Sequence, residues 1–200
     1  MLLGPRNISK NRNIYCRFTI FSLYLRIFAE VMKEVIVKDS DLCRAAGEGM
    51  DAFLKVFYDG IMCSVGGELT AETMQELNTD QITLLAYHIL RDEVMDGGFV
   101  QLIHNGYGGF IFLNPFAKVL KLWGMRDLSR LIYDAHTLYN LHKGDIERDC
   151  TDEEFMAMFE AHPEFDDMDD KFVENEELYT AAVARYVDEH IEQFAKISNE

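Results

Sequence analysis

Glu93-Val94-Met95-Asp96-Gly97-Gly98-Phe99-Val100-Gln101-Leu102-Ile103-His104-Asn105-Gly106 is the stretch on which the fold turns. Two adjacent glycines let a chain change direction sharply, and helical periodicity runs up to the pair and resumes after it. Ile82, Leu85, Ala86 and Ile89 share one face and predict a helix over about 79–95. Beyond the glycines, 99–104 predicts a short helix with Gln101 and Asn105 four residues apart on one face. Glu93, just before the turn, is placed to accept hydrogen bonds from the free N–H groups at the start of that second helix. The stretch reads as a buried polar junction that fixes the angle between two helices, because inward polar groups usually satisfy backbone. The alternative is a small-ligand or enzyme site built from Glu93, Gln101, His104 and Asn105, which requires a cleft with perturbed titratable groups.

The flanking pattern is helical almost throughout. Leu42, Ala45, Ala46, Met50, Phe53, Leu54, Phe57 and Ile61 follow helix spacing across 41–65, and Gly66-Gly67 ends the run. Thr70 can cap a short helix over 71–77, and Asn78 with Gln81 forms a capping box. Phe110–Leu113 reads as a brief extended piece. Asn114-Pro115 then opens a helix as N-cap and N1 proline, and Gly124 closes it. Leu128, Leu131, Ile132, Ala135, Leu138 and Tyr139 stripe a helix over 127–143 with Gly144 as its stop. Thr151-Asp152-Glu153-Glu154 is a capping box for 152–161, broken by His162-Pro163. The region 164–196 should hold two helices, the last carrying Val183, Tyr186, Val187, His190, Ile191 and Phe194 on one stripe. No strand pattern of useful length is present. The expectation is an all-α single domain of seven to nine helices over 39–197.

Charge divides the 200 residues unevenly. The formal net charge is −16, yet residues 1–31 carry +4 and the remainder −20. Residues 145–200 alone hold 19 acids against Arg148, Lys171, Arg185 and Lys196, a net of −15. The front end is basic and then apolar through Phe18–Leu25, too short for the ~20 residues that span a bilayer and without a nearby small-x-small cleavage site. The segment 1–31 therefore reads as an extension ahead of a true start at Met32, with a real appendage, such as a basic membrane-surface helix, or a targeting segment as the alternatives. With 48% hydrophobic residues, the chain has enough apolar material for a real core.

The sign of the charge excludes direct binding to nucleic acid or an anionic membrane, since phosphate contacts need Lys and Arg. It suits a basic partner protein. No phosphate-loop, G-x-S-x-G or H-E-x-x-H motif occurs, and Gly106-Tyr107-Gly108-Gly109-Phe110-Ile111 lacks the last glycine of a dinucleotide fingerprint. Asp166–Asp170 superficially resembles a calcium loop, but Lys171 and Phe172 fall where a ligand and the central glycine belong. His136 and His142, six apart, do not share a helical face, and no Cys/His cluster has zinc spacing. His190 and Trp123 read as core residues. The four cysteines, Cys16, Cys43, Cys63 and Cys150, read as scattered thiols of a cytoplasmic protein. No catalytic residue, metal or cofactor is expected.

Leu77-Asn78-Thr79-Asp80-Gln81, Glu93-Val94, Gly97-Gly98-Phe99, Gln101 and Asn105-Gly106 together resemble a bacterial domain family of unknown function. The family is named for a DNA mimic protein (the DMP-type mimic, C-terminal domain). Asp96 stands where asparagine is common in it. The resemblance covers about 45–195 and implies an all-α fold without known enzymatic activity. It makes Leu77, Gln81, Glu93, Gly97, Gly98, Phe99, Gln101 and Asn105 determinants of the fold. The mimic that names the family presents carboxylates as DNA presents phosphates and blocks a helix-turn-helix regulator. The mimicking acids are not part of the motif, so candidate partner contacts come from this chain's own charge: Asp166, Asp167, Asp169, Asp170, Glu174, Glu176 and Glu177. The expected function is a non-enzymatic acidic interaction protein that binds a basic protein through its C-terminal helices, with mimicry of DNA toward a DNA-binding regulator as the finer reading. An immunity or adaptor protein that neutralises one specific partner is the alternative in the same class.

Overall fold

Helix restarts, more than helix propensity, set the architecture. The computed structural model describes residues 32–199; the expected extension 1–31 lies outside them. Among the described residues, β1 (Ile36–Lys38) leads into α1 (Asp39–Glu48) and α2 (Met50–Ser64). A 3-10 turn, Thr73–Glu76, precedes α3 (Thr79–His104), the longest helix. Then come α4 (Gly108–Phe112), α5 (Phe116–Leu122), α6 (Arg126–Ile146) and α7 (Asp152–Ala161). A second 3-10 turn, Pro163–Phe165, leads to α8 (Asp166–Glu189), α9 (Ile191–Phe194) and β2 (Lys196–Ser198). The protein is all-α, with nine α-helices among the described residues. None of these helices is long and apolar enough to cross a membrane.

α3 is the spine, with α2, α4, α5, α6 and α8 packed around it. Phe57, Leu85, Leu90, Phe99, Leu102, Phe165, Phe172, Val187 and Phe194 fill a continuous core. Burying a side chain of this size contributes roughly 1.5–3 kcal/mol. Trp123 stacks on Tyr186 with centroids 4.3 Å apart, and its Nε1–H donates to Asp80 Oδ1 at 2.8 Å. The His190 ring stacks on Tyr186, and its Nδ1 lies 2.9 Å from the Tyr186 carbonyl oxygen. Cys43, Cys63 and Cys150 are free thiols.

Several boundaries differ from the sequence expectation, each for a physical reason. The helix expected over 41–65 is two helices, because Gly49 (φ +127°) interrupts it in a conformation that L side chains rarely adopt. Phe110–Leu113 is not extended. Ile111 N–H donates to the Tyr107 carbonyl at 2.9 Å, and α4 lies against the Tyr139 ring, where a Cβ on Gly108 would come within 2.5 Å of the ring edge. Gly144 does not stop α6, which runs on to bury Ile146 completely. His190 splits the last predicted helix into α8 and α9.

The sequence also gave no hint of a sheet. β1 and β2 pair in parallel, Val37 opposite Ile197, and the folded unit starts ahead of residue 39, with Val35 and Val37 buried. Three-residue strands are too short to show a period-2 signal.

Both predicted capping boxes form. Thr151 and Glu154 exchange side-chain and backbone hydrogen bonds, as do Asn78 and Gln81. The second box does more than cap: Asn78 Nδ2 donates to the Gln193 carbonyl at 2.7 Å, and Gln81 Nε2 to the Phe194 carbonyl at 3.0 Å. These bonds fasten the C-terminal segment to the start of α3. Gln81→Ala removes half the box and leaves the buried Phe194 carbonyl without this donor. It is expected to cost about 1–3 kcal/mol, read in urea denaturation as a lower midpoint at unchanged slope.

Candidate partner-binding face

The face is built from the Gly97–Gly98 kink outward. Gly97 (φ −157°, ψ 23°) and Gly98 (φ +72°, ψ −173°) leave helical geometry inside α3, and the helix restarts at Phe99. The Gln101 side chain folds over Gly97 so closely that a Cβ there would lie 2.2 Å from its Oε1. Gln101 Nε2 donates to Asp96 Oδ2 at 2.8 Å and to Glu93 Oε2 at 3.3 Å, and Asn105 Nδ2 donates to Glu93 Oε2 at 2.8 Å. Glu93 therefore binds side-chain amides and is not the cap expected for the second half-helix. That cap comes from α8: Asp169 Oδ1 accepts from Phe99 N–H at 2.8 Å. A residue 70 positions away cannot be found by local spacing.

His104 Nδ1 lies 2.9 Å from the Ile146 carbonyl oxygen, and its ring stacks on Phe155. The junction is thus knit by its own hydrogen bonds, and the Phe99 ring is fully buried in the core beneath it. Leu77 and Gln81, the opening of the motif, are also buried. An apolar hollow of about 450 Å³ has a different lining that includes Ile82, Ala86, Phe110 and Pro115.

The seven candidate acids of α8 divide by helical position. Asp169 and Glu176 are seven apart and face inward with Phe172, Thr180 and Val183. Glu176, 8% exposed, pairs with the Arg91 guanidinium and accepts from Thr180 Oγ1 at 2.7 Å. Thr180 in turn meets the Tyr87 hydroxyl at 2.8 Å, and Arg91 reaches Asp51 on α2 at 3.1 Å. This network joins α2, α3 and α8. Asp169 and Glu176 are corrected from partner contacts to internal groups, because each satisfies a polar group on α3.

The other five, Asp166, Asp167, Asp170, Glu174 and Glu177, are exposed. Asp166, Asp170, Glu174 and Glu177 recur at intervals of four, four and three, which places them in one row along α8. At 1.5 Å per residue the row is about 16 Å long. Exposed Val173 and Leu178 border it. These acids stand on a regular helix, which removes any reading of Asp166–Asp170 as a calcium loop.

Two histidines considered from sequence part company. His136 stacks on Phe112. His142 instead meets His162 and Glu164, donor atoms of all three lying within 4.8 Å of one another. Twenty residues and a helix break separate the two histidines, so spacing gives no signal of their meeting.

A family model of DMP19-like proteins matches residues 75–190, from the turn before α3 to the end of α8. The chain belongs to the DMP19-like family. Its relative, the DNA mimic protein DMP19 of Neisseria meningitidis serogroup B (strain ATCC BAA-335 / MC58), is 35% identical over 135 residues, which is 65% of this chain and 82% of that protein. The region matched to the DMP19-like family contains the whole Gly97–Gly98 junction and the whole acidic row, and leaves out β1, α1, α2, α9 and β2.

Burial pushes the Asp169 carboxyl from 3.8 up to about 6; the Phe99 N–H opposes the shift, and Asp166 and Asp170 add to it. The folded state holds this proton more tightly than the unfolded chain does. Ionising Asp169 therefore costs stability as pH rises from about 4 to about 6, and the cost is complete above that range. Asp169→Asn keeps an acceptor for Phe99 N–H without the charge. The gap in stability between it and wild type should shift in the variant's favour across that window, measured by urea denaturation at pH 4, 5, 6 and 7. Asp169→Ala orphans the N–H and should cost about 1–3 kcal/mol. Gly98→Ala must hold φ near +72° and bring a Cβ within 2.4 Å of Asp169 Oδ2, so a loss of more than ~2 kcal/mol is expected by the same measurement.

Proposed function

We propose that this protein is a DNA mimic: a non-enzymatic, acidic interaction protein that docks the exposed row of α8 into the DNA-binding surface of a basic protein. The observation that carries the reading is the charge spacing of the row. With Asp167 beside its four members, the row counts five exposed carboxylates within about 16 Å of helix axis, a density of one negative charge per ~3.3 Å. A single strand of B-DNA presents one per ~3.4 Å of axis. Holding these charges on a helix packed against α3 keeps the row in fixed geometry, as a duplex holds its phosphates. Val173 and Leu178 beside the row offer the apolar contact that a stable protein interface needs at its centre.

Two further observations support it. The family relative is itself named a DNA mimic protein, and the net charge of −16 disfavours nucleic acid as a direct ligand. A DNA-binding partner would place the protein in the cytoplasm. Long-range attraction would speed association and make it fall steeply with salt.

The test starts with capture from lysate of the native host on the immobilised protein at low and high salt. It continues with each captured DNA-binding protein and its own DNA. The wild-type chain should compete with that DNA. Reversal of Asp166, Asp170, Glu174 and Glu177 to Lys should slow association at least tenfold without loss of helical circular dichroism. Unchanged binding after the reversal, or a direct shift of duplex DNA by the wild-type chain, would sink the proposal.

A further inference from the structure

The turn between α7 and α8 gathers a second set of polar side chains that the acidic row does not use. Glu164 Oε1 lies 2.9 Å from His142 Nε2 and 3.2 Å from His162 Nδ1. The other nitrogen of His162, Nε2, lies 3.0 Å from Asp145 Oδ2. His162 is 6% exposed at its side chain, while His142 and Glu164 are each about one-third exposed. His142 and Asp145 belong to α6; His162 closes α7; Glu164 sits in the 3-10 turn that leads into α8.

We propose that His142, His162 and Glu164 form a binding site for a divalent transition-metal ion, zinc foremost, with Asp145 as the group that orients His162. Three observations point there. The first is spacing. Bonds of ~2.0–2.1 Å to a tetrahedral ion place ligand atoms about 3.3 Å from one another. The two separations from Glu164 Oε1, 2.9 and 3.2 Å, fall just short of that value, by no more than a few tenths of an ångström.

The second is hydrogen-bond accounting on His162, which has a carboxylate at each ring nitrogen. Both contacts can be hydrogen bonds only when the ring carries both protons, because a neutral imidazole has one donor. A cation at Nδ1 resolves this for a neutral ring: Nδ1 turns its lone pair to the ion, Glu164 joins as a second ligand, and Nε2–H alone donates to Asp145. Metal-binding histidines are typically held in this way by a carboxylate behind the ring.

The third is donor chemistry. Two imidazoles and one carboxylate suit zinc and its neighbours, whereas an all-oxygen set would suit calcium or magnesium. The exposed sides of His142 and Glu164 leave the fourth position to water. The ion ties α6 to the turn that launches α8, two residues ahead of Asp166.

The experiment uses the untagged full chain, stripped with chelator and dialysed, and titrated with zinc chloride by calorimetry and with cobalt chloride by visible absorption. Wild type should bind one ion per chain and show the ligand-field bands of tetrahedral cobalt. His142→Gln and Glu164→Gln alter side chains that are about one-third exposed and should fold; each should weaken binding at least tenfold. Asp145→Ala, which touches no ion, should weaken it about 10–100-fold. His88→Gln changes a surface histidine paired with Asp92 and should bind as wild type does. No saturable binding by wild type at micromolar ion, or binding that survives unchanged in both His142→Gln and Glu164→Gln, overturns the proposal. The outcome does not depend on whether the acidic row finds its partner.

Discussion

One hydrogen bond, from Phe99 N–H to Asp169, sets much of this architecture. A helix that breaks and restarts exposes backbone donors, and buried donors must be paired. Gly97 and Gly98 create the break, and α8 supplies the acceptor. Once Asp169 is fixed, Phe172 and Glu176 follow on the same face of α8, reaching the core and Arg91. The opposite face is then determined as well. Asp166, Asp170, Glu174 and Glu177 point to solvent because the inward positions are committed to α3. What the protein shows to a partner is set by what its own interior requires.

The C-terminal third carries a net −15, and such self-repulsion works against a folded helix layer. The structure offsets it in two ways. Two of the carboxylates are internalised with partners, Glu176 with a guanidinium and Asp169 with a backbone donor. The burial of Phe165, Phe172, Val183, Val187 and Phe194 supplies the apolar contribution that the exposed acids cannot.

The fold was legible where its causes are local. Capping boxes at Asn78 and Thr151, glycine stops at Gly66-Gly67 and Gly124, and the apolar stripes of α2, α3 and α6 all act within a few residues, and helix content followed from them. The two-glycine motif was readable as a junction for the same reason. Its acceptor was not, because Asp169 lies on another helix, 70 residues along the chain, where no local spacing links it to Phe99. Glu176 was misplaced by composition too: its helical position, four after Phe172 and seven before Val183, sets it on the inward stripe apart from Glu174 and Glu177. The meeting of His142 with His162 and Glu164, and the pairing of β1 with β2, depend on chain segments brought together late, with no local pattern to announce them.

The parallel pairing of β1 with β2 bears on how the chain reaches this state. Ile36 and Lys196 stand opposite each other across about 160 residues of intervening chain. On a ribosome the first strand emerges long before the second exists. β1 can therefore pack only against α1 and α2 until Lys196–Ser198 is available to pair with it.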